Sequence, residues 1–187
     1  MKNLLIYLLV VLLGTCVNEL PAQIYQPIDK SSEIKIVVKN VGMEVEAILT
    51  GLEGDITFIT TDLKKSNFSV SLDAASISTG IDIRDSNLQD LDYLDTKKYP
   101  KIYIASKQIT KGSKPESFLL KATLTLKGIS KDVSIPFTVV PAEGGMVFSG
   151  NFKINRLDFK IGVGSVVLSN SMSVSLVVFA KKVWPIY

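Results

Sequence analysis

The residues that could do chemistry concentrate in one acidic stretch near the middle of the chain. Arg84 and Asp85 are followed at short spacing by Asp90, Asp92 and Asp95. Such carboxylates could bind Ca²⁺ or act as a general acid and base. Their spacing does not match a calcium-binding EF-hand loop, however, and no glycine occupies the position of its sharp turn. The patch therefore favours a solvated helix face on which Arg84 pairs with an acid.

The sequence contains no histidine, which excludes much of the usual catalytic and metal chemistry near neutral pH. Ser-His-Asp catalysis, Cys-His catalysis and histidine-based zinc sites are all excluded. The serines and threonines consequently lack an obvious activating base. Gly162-Val163-Gly164 has the spacing of part of a phosphate-binding loop, but no Lys-Ser or Lys-Thr pair follows it, so a plain connecting loop is favoured. We expect a protein that is not an enzyme and that uses no metal or cofactor.

The aromatic residues are more informative, because most of them are in phase with Ile, Leu and Val. They are Phe58, Phe68, Tyr103, Phe118, Phe137, Phe148 and Phe152. In a β-sandwich these rings would fill the space between two sheets, whereas in a closed barrel of about eight strands they would line an interior wide enough for one small ligand. Periodicity does not separate the two arrangements, and spacing alone favours core filling.

Strands must position these rings, since apolar and polar residues alternate with period two from Ser32 onward. The alternation predicts about nine strands, centred on residues 33–38, 44–49, 56–58, 68–72, 102–104, 118–126, 133–139, 146–154 and 174–180. Most are separated by short turns rich in Gly and Pro, so successive strands are expected to be antiparallel neighbours. The predicted fold class is all-β.

Two stretches depart from this alternation. Over residues 81–100, leucines recur at helical spacing, which predicts one short helix that is capped by Asp85 or Ser86 and ends before Lys97. The leucines concerned are Leu88, Leu91 and Leu94. Residues 161–173 are rich in Gly, Ser and Asn and predict a long loop near one end of the barrel or sandwich.

Length and composition match one soluble globular domain. The chain has 187 residues, of which 47% are hydrophobic and 21% charged. Its net charge of +3 is distributed among interleaved acidic and basic residues, so no concentrated basic face is expected and nucleic acid is not an expected partner. Exposed edge strands make a homodimer one expectation.

The amino terminus predicts a signal peptide over residues 1–22. An apolar run at 4–13 is shorter than the roughly 20 residues that span a bilayer. Cleavage after Ala22 is favoured, and it would leave residues 23–187 as one domain in the periplasm or outside the cell. The alternative is a membrane-anchored lipoprotein in which Cys16 carries the lipid.

Five blocks of the sequence, in order, resemble the YceI-like family of lipid- and polyisoprenoid-binding proteins. They are Asp-Lys-Ser-Ser at 29–32, Ser-Ile-Ser-Thr-Gly at 76–80 with Arg84-Asp85 after it, Lys-Tyr-Pro-Lys-Ile at 98–102, Leu-Thr-Leu-Lys-Gly-Ile-Ser-Lys at 124–131, and Ile-Asn-Arg-Leu-Asp-Phe-Lys-Ile at 154–161. The resemblance covers essentially all of the chain after the leader. It implies a lipocalin-like antiparallel β-barrel of about eight or nine strands, with one inserted helix and a cavity for an isoprenoid or fatty lipid.

The resemblance favours cavity lining over core filling for the inward residues. The expected lining residues are Phe58, Phe68, Val70, Tyr93, Ile104, Phe118, Leu120, Phe137, Phe148 and Phe152. Lys30, Asn40 and Arg84 are the expected polar rim. Family members commonly carry His at three positions that read Lys30, Asn40 and Asn87 here. The family's histidine contacts to a head group therefore do not carry over.

The resulting expectation is an exported binding protein that sequesters or carries an apolar amphiphile without catalysis. The ligand would be a polyisoprenoid, an isoprenoid quinone or a fatty acid derivative. The alternative is an envelope structural or protein-interaction module with a filled core and no ligand. The two differ in whether side chains meet across the interior or leave a cavity of a few hundred cubic ångströms.

Overall fold

The computed structural model describes residues 23–183, which form ten strands and one α-helix. The strands are β1 (Ile24–Pro27), β2 (Glu33–Asn40), β3 (Met43–Leu49), β4 (Glu53–Thr57), β5 (Asn67–Asp73), β6 (Lys101–Lys111), β7 (Ser117–Leu126), β8 (Ile129–Ala142), β9 (Gly145–Asn155) and β10 (Leu168–Val183). The helix α1 (Asp82–Gln89) lies between β5 and β6. Within residues 23–183, no helix has the length and apolar character needed to cross a membrane.

Eight of the strands close into an antiparallel barrel. The order is β1-β4-β5-β6-β7-β8-β9-β10, and β10 returns to pair with β1. Strand β10 is long enough to pair with two strands along the edge that does not face β9. Its first part pairs with β2, from Leu168 opposite Asn40 to Val177 opposite Glu33, and its last residues pair with β1. The wall therefore branches along β10.

At the branched end, the hairpin of β2 and β3 continues the wall, and a non-strand segment completes it. The backbone groups of Ile48 in β3 and Ser78 exchange hydrogen bonds of 2.8 and 3.0 Å, and the amide of Asp73 donates to the carbonyl of Thr50 at 3.1 Å. Helix α1 follows Ser78 after three residues. Helix α1 thus takes the place of a strand in this part of the wall. We call the end of the barrel formed by β2, β3, α1 and the first part of β10 the mouth end.

The opposite end is filled by phenyl rings, and we call it the aromatic end. Phe58 is 1% exposed and lies at the centre of the group. Its ring centroid is 5.1–6.1 Å from those of four other rings, all in edge-on geometry. The four are Phe68, Phe118, Phe137 and Phe148. This arrangement is the one that aromatic pairs prefer, and it packs the interior densely.

The predicted fold class is confirmed: the chain is an antiparallel lipocalin-like barrel with one short helix. The number of strands is ten rather than about nine, because β1 was not predicted. This strand has four residues and ends in a proline, so it shows no extended alternation. The prediction also placed Phe58 within a strand, whereas β4 ends at Thr57.

Two further boundaries differ from the prediction. The helix begins at Asp82 and ends at Gln89, so Leu91 and Leu94 lie beyond it. Neither Asp85 nor Ser86 caps it, since both lie inside the helix. The expected loop over residues 161–173 is shorter, because its last six residues belong to β10. There the hydrogen bonds from the neighbouring strands outweigh the weak strand propensity of Ser and Asn. The predicted signal peptide and Cys16 lie outside the described residues.

Candidate functional site

The mouth half of the barrel contains a cavity of about 460 Å³. Most of its wall is aliphatic, because alternation points the Ile, Val, Leu and Ala residues of the surrounding strands inward. Three strands at the mouth end, β2, β3 and β10, supply much of this wall. Their apolar lining residues include Ile34, Ile36 and Val38 of β2, Val45 and Ala47 of β3, and Met172, Val174 and Leu176 of β10. Helix α1 contributes Ile83 and Leu88 from the opposite side. A volume of this size is typical of a site for one small apolar molecule.

Few polar side chains line the cavity, and four of them come from two short segments. Asn40 is the last residue of β2, and Thr79, Arg84 and Asn87 lie in and just before α1. Asn40 and Asn87 are exposed, whereas Thr79 and Arg84 are half-buried. The cavity therefore has an apolar interior and a polar group at its mouth, which is the distribution needed to hold an amphiphile.

A hydrogen-bond chain fixes Arg84. Its Nε donates to the hydroxyl of Thr79 at 2.9 Å, and that hydroxyl donates in turn to Oδ1 of Asp85 at 2.5 Å. The backbone amide of Thr79 also donates to Oδ1 of Asp85 at 2.8 Å. Arg84 was expected to pair with an acid, and it instead reaches Asp85 through this threonine. Within the described part of the chain, its terminal nitrogens make no hydrogen bond or ion pair, so they can meet an anionic group.

The same hydrogen bonds affect the titration of Asp85. The hydrogen bond that the Thr79 hydroxyl donates is the main reason that the pKa of Asp85 lies below the ordinary value of a carboxyl group. The Thr79 amide, the Ser78 hydroxyl and the charge of Arg84 lower this pKa by smaller amounts. Asp85 therefore stays ionised at neutral pH. Its negative charge holds the Thr79 hydroxyl in the orientation that accepts from Arg84.

A second, smaller cavity of about 70 Å³ lies between the large cavity and the phenyl rings. The predicted lining residues are divided between the two. Tyr93, Ile104 and Phe152 line the large cavity. Those that line the small one are Phe68, Val70, Ile104, Leu120, Phe137 and Phe148. Phe58 and Phe118 line neither cavity and belong to the filled aromatic end.

The structure brings two of the three predicted rim residues together. Asn40 and Arg84 both line the large cavity, whereas Lys30 does not. Lys30 is exposed in the short 3-10 turn Asp29–Ser31, which precedes β2, while Asn40 ends that strand. The two are thus about 25 Å or more apart along an extended strand. Thr79 and Asn87 were not among the predicted rim residues, although they belong to the same sequence block as Arg84 and could have been included with it.

A loop at the mouth is tied down by a buried arginine. Arg156 is 1% exposed, and its guanidinium donates to the carbonyls of Ile161, Leu168 and Ser169 at 2.8–3.3 Å. It also donates to Oδ1 of Asn170 at 3.0 Å. These carbonyls flank the loop over residues 162–167, so Arg156 positions the two lining residues Ile161 and Leu168. Arg156 lies in the block at 154–161 that resembles the YceI-like family, but the resemblance did not predict that it would hold the mouth loop.

Exposed apolar side chains surround the mouth. Two backbone hydrogen bonds join the loop over residues 162–167 to neighbouring segments. The amide of Gly162 donates to the carbonyl of Asp92 at 2.7 Å, and the amide of Val41 donates to the carbonyl of Val167 at 2.8 Å. The large apolar residues exposed on these segments and on α1 are Val41, Met43, Ile83, Leu91, Val163, Val166 and Val167. An apolar ligand that enters the cavity would pass these exposed apolar side chains.

The acidic stretch over residues 84–95 does not form a metal centre within the described part of the chain. Among residues 23–183, no group of three or more Asp, Glu or Cys side chains is placed to hold a metal ion. Asp90 and Asp92 are exposed, and the backbone carbonyl of Asp90 accepts from the amides of Tyr93 and Asp95. This segment acts as a turn after α1.

Comparison with known proteins gives consistent matches. A family model described as the YceI-like domain matches residues 25–180. A UPF0312 protein of Photorhabdus laumondii is 28% identical over 121 residues, which cover 60% of this chain and 62% of that protein. The chain thus spans about three fifths of the curated relatives that it matches.

Two solved structures support the same fold. BcnA of Burkholderia cenocepacia aligns with a TM-score of 0.78 at 20% identity, over 83% of this chain and 99% of that one. A polyisoprenoid binding domain from Saccharophagus degradans, described as implicated in plant cell wall breakdown, aligns with a TM-score of 0.68 at 19% identity, over 84% of this chain and 98% of that one. At these identities the likeness concerns the fold.

Proposed function

This chain belongs to the YceI-like domain family, and from that premise we propose that it is a non-enzymatic binding protein that sequesters or carries an apolar amphiphile in the mouth cavity. The observation that carries the proposal is the cavity of about 460 Å³, with aliphatic walls inside and polar residues at its mouth. The binding ascribed to the Saccharophagus domain points to the same ligand class, an isoprenoid. A fatty acid derivative or an isoprenoid quinone would fit the same wall.

Burial alone can supply the affinity. Each methylene-sized group removed from water contributes about 0.8 kcal/mol, so a five-carbon isoprene unit contributes roughly 4 kcal/mol. Two units give roughly 8 kcal/mol and three give roughly 12 kcal/mol, and lost ligand freedom subtracts on the order of 4 kcal/mol, so three units are needed for micromolar binding. Micromolar binding requires about 8 kcal/mol. No covalent step or catalytic group is needed.

The head group would lie beside Arg84. Its unpaired terminal nitrogens favour a carboxylate or a phosphate, since charge-assisted bonds to guanidinium are the stronger ones. Asn87 on the same helix and Asn40 at the end of β2 can add neutral donors. We expect Arg84→Gln to weaken binding of a fatty acid about tenfold and to change binding of the corresponding alcohol by less than about threefold.

The rival interpretation, an interaction module with a filled core, would leave no space for a ligand. It predicts bulky side chains throughout the interior, whereas among residues 23–183 only the aromatic end is filled in this way. The cavity therefore favours the binding function over the rival.

Filling the cavity tests the proposal. Ala47 is small, buried and part of the wall, so Ala47→Phe places a ring where the chain of the ligand would lie. We expect at least a tenfold loss of affinity for fatty acids and prenyl alcohols, measured by displacement of a fluorescent probe. The matched control is Ala105→Phe, which adds the same ring at an exposed position on the outer face of β6.

Copurified material gives an independent readout. Native mass spectrometry of the protein from its own source, followed by denaturing extraction, should reveal a bound isoprenoid or fatty species. A clean unliganded mass that stays unchanged after incubation with polyprenyl and fatty acid mixtures, together with equal behaviour of the two Ala→Phe variants, would overturn the binding function.

We also propose that the protein acts outside the cytoplasm, in the periplasm or beyond it. The support is the apolar run at 4–13 and the small residue at Ala22. The mass of the mature protein distinguishes the two processing routes, because cleavage after Ala22 leaves a first residue without lipid, whereas the lipoprotein route leaves an acylated Cys16. A full-length mass in the cytoplasmic fraction would refute both.

A further inference from the structure

The two cavities lie in one interior and share two wall residues. Ile104 of β6 and Leu176 of β10 line both the 460 Å³ cavity and the 70 Å³ cavity. Both side chains point inward, because their strand neighbours Tyr103, Ala105 and Val177 are exposed on the outer face. Ile104 and Leu176 therefore stand at the boundary between the two spaces.

This boundary lies far from the polar mouth. Along β10, Leu168 is opposite Asn40 at the mouth, and Leu176 is opposite Ile34 at the start of β2. Over the same stretch, the partner strand β2 advances by six residues from Asn40 to Ile34, which span roughly 20 Å, because β10 is irregular between Leu168 and Met172. A ligand whose head group lies beside Asn40 and Arg84 would thus point the end of its chain toward Ile104 and Leu176.

Beyond the boundary there is little room. The small cavity is closed by Phe68, Phe137 and Phe148, whose ring centroids are 5.5–6.4 Å apart. Rings packed in this way are held by several neighbours at once, so they do not move aside for one chain. The aromatic end therefore acts as the floor of the interior.

We propose that Ile104 and Leu176 form a partition that sets the longest hydrocarbon chain that the protein binds. The inference rests on the proposed function and specifies its ligand class. A strand tilted by about 40° to the barrel axis advances roughly 15 Å along that axis between the mouth and the partition, which is the reach of an extended chain of about three isoprene units. The preferred ligand is an amphiphile with one chain of about 15 carbons, equivalent to three isoprene units.

A series of chain lengths tests the partition in the full-length protein. The probes are prenyl alcohols with two, three and four isoprene units, each titrated against a fluorescent apolar probe. For the unmodified protein, we expect affinity to rise from two to three units and to fall at least tenfold at four. Ile104→Ala joins the two cavities, and it should raise the affinity for four units about tenfold while changing that for two units by less than about threefold.

The control variant removes the same kind of side chain elsewhere in the wall. Leu124 of β7 is the strand partner of Ile104 and lines only the larger of these two cavities. Leu124→Ala enlarges that cavity without opening the partition, so the preference for three units over four should persist. Ile104→Val, which removes one methyl group, should shift the preference in the same direction as Ile104→Ala but less, and it serves if the alanine variant does not fold.

The outcomes separate the two proposals. If the unmodified protein binds three and four units equally well, or if Ile104→Ala and Leu124→Ala shift the preference equally, the partition is refuted while the binding function stands. If none of the alcohols and no fatty acid binds, the proposed function itself fails.

Discussion

Replacing Phe58 by alanine would remove the ring at the centre of the aromatic end. A buried Phe→Ala substitution costs about 3–5 kcal/mol, because the transfer energy of the ring is lost and a cavity is left behind. Phe58 should lie at the upper part of this range, since its ring meets four others edge-on, and each such pair adds roughly 0.5–1.5 kcal/mol. We therefore expect Phe58→Ala to lower the free energy of unfolding by about 4–5 kcal/mol.

Urea unfolding followed by circular dichroism measures this change. Tyr103→Ala is the control, because Tyr103 is 50% exposed on the outer face and its loss should cost less than about 1 kcal/mol. Ligand affinity is measured on the same samples under conditions in which both variants remain folded. Because Phe58 lines neither cavity, its replacement should leave affinity within about threefold of the unmodified protein.

The result that would refute this reasoning is a specific one. If Phe58→Ala costs less than about 1.5 kcal/mol and lowers ligand affinity tenfold, the aromatic end is a ligand site and not a packed core. The sequence-based expectation that Phe58 lines the cavity would then be correct. If the alanine variant does not fold, Phe58→Leu, which retains much of the buried volume, should show a smaller loss and the same unchanged affinity.

Three further predictions concern other parts of the barrel. Arg156→Met leaves the carbonyls around the mouth loop without their donor, so we expect a loss of about 3 kcal/mol or more and faster proteolysis within residues 162–167. The pKa of Asp85 is lower in the folded chain than in the unfolded chain. The ionised carboxylate therefore stabilises the fold at pH values above the ordinary pKa of a carboxyl group, and this stabilisation is lost as the pH falls through the lowered pKa. Asp85→Asn should therefore narrow the difference between the urea midpoints at pH 7 and pH 3, and an unchanged difference would contradict this account. Gly54 has a φ of +124°, and a Cβ there would clash with the backbone oxygen of Ser69 in β5, so Gly54→Ala should cost about 2 kcal/mol or more. Gly164→Ala, with open space around it, should change stability by less than about 0.5 kcal/mol.

Much of the fold could be predicted from the sequence, because period-two alternation directly reports which side chains face the interior. It located nine strands, and the helical spacing of leucines where the alternation stops indicated the inserted helix. It could not locate β1, since four residues ending in Pro27 carry too little pattern. It also could not place the start of β10, because Leu168 is followed by polar residues that become strand only through pairing with β2 and β9.

The candidate site was less predictable, for a different physical reason. Asn40 and Arg84 are 44 positions apart in the sequence and meet at the mouth only because the barrel branches at β10 and α1 completes the wall. Lys30 was grouped with them from the same resemblance, yet a strand of eight residues separates it from Asn40. Alternation gives the face of each residue, whereas strand register and tilt decide which residues meet across the interior.

Side-chain volume explains why one end of the barrel is hollow. Inward positions are apolar at both ends, so their periodicity is the same. At the aromatic end five phenyl rings meet across the interior, whereas β2 and β3 contribute Ile, Val and Ala opposite a helix. The filled end supplies packing that does not depend on a ligand, so the mouth end can be empty without unfolding the chain. A bound lipid should then add only the stability given by its concentration relative to its Kd, about 2.7 kcal/mol at a hundredfold excess. On the proposed function, we therefore expect the chain to stay folded when its ligand is removed.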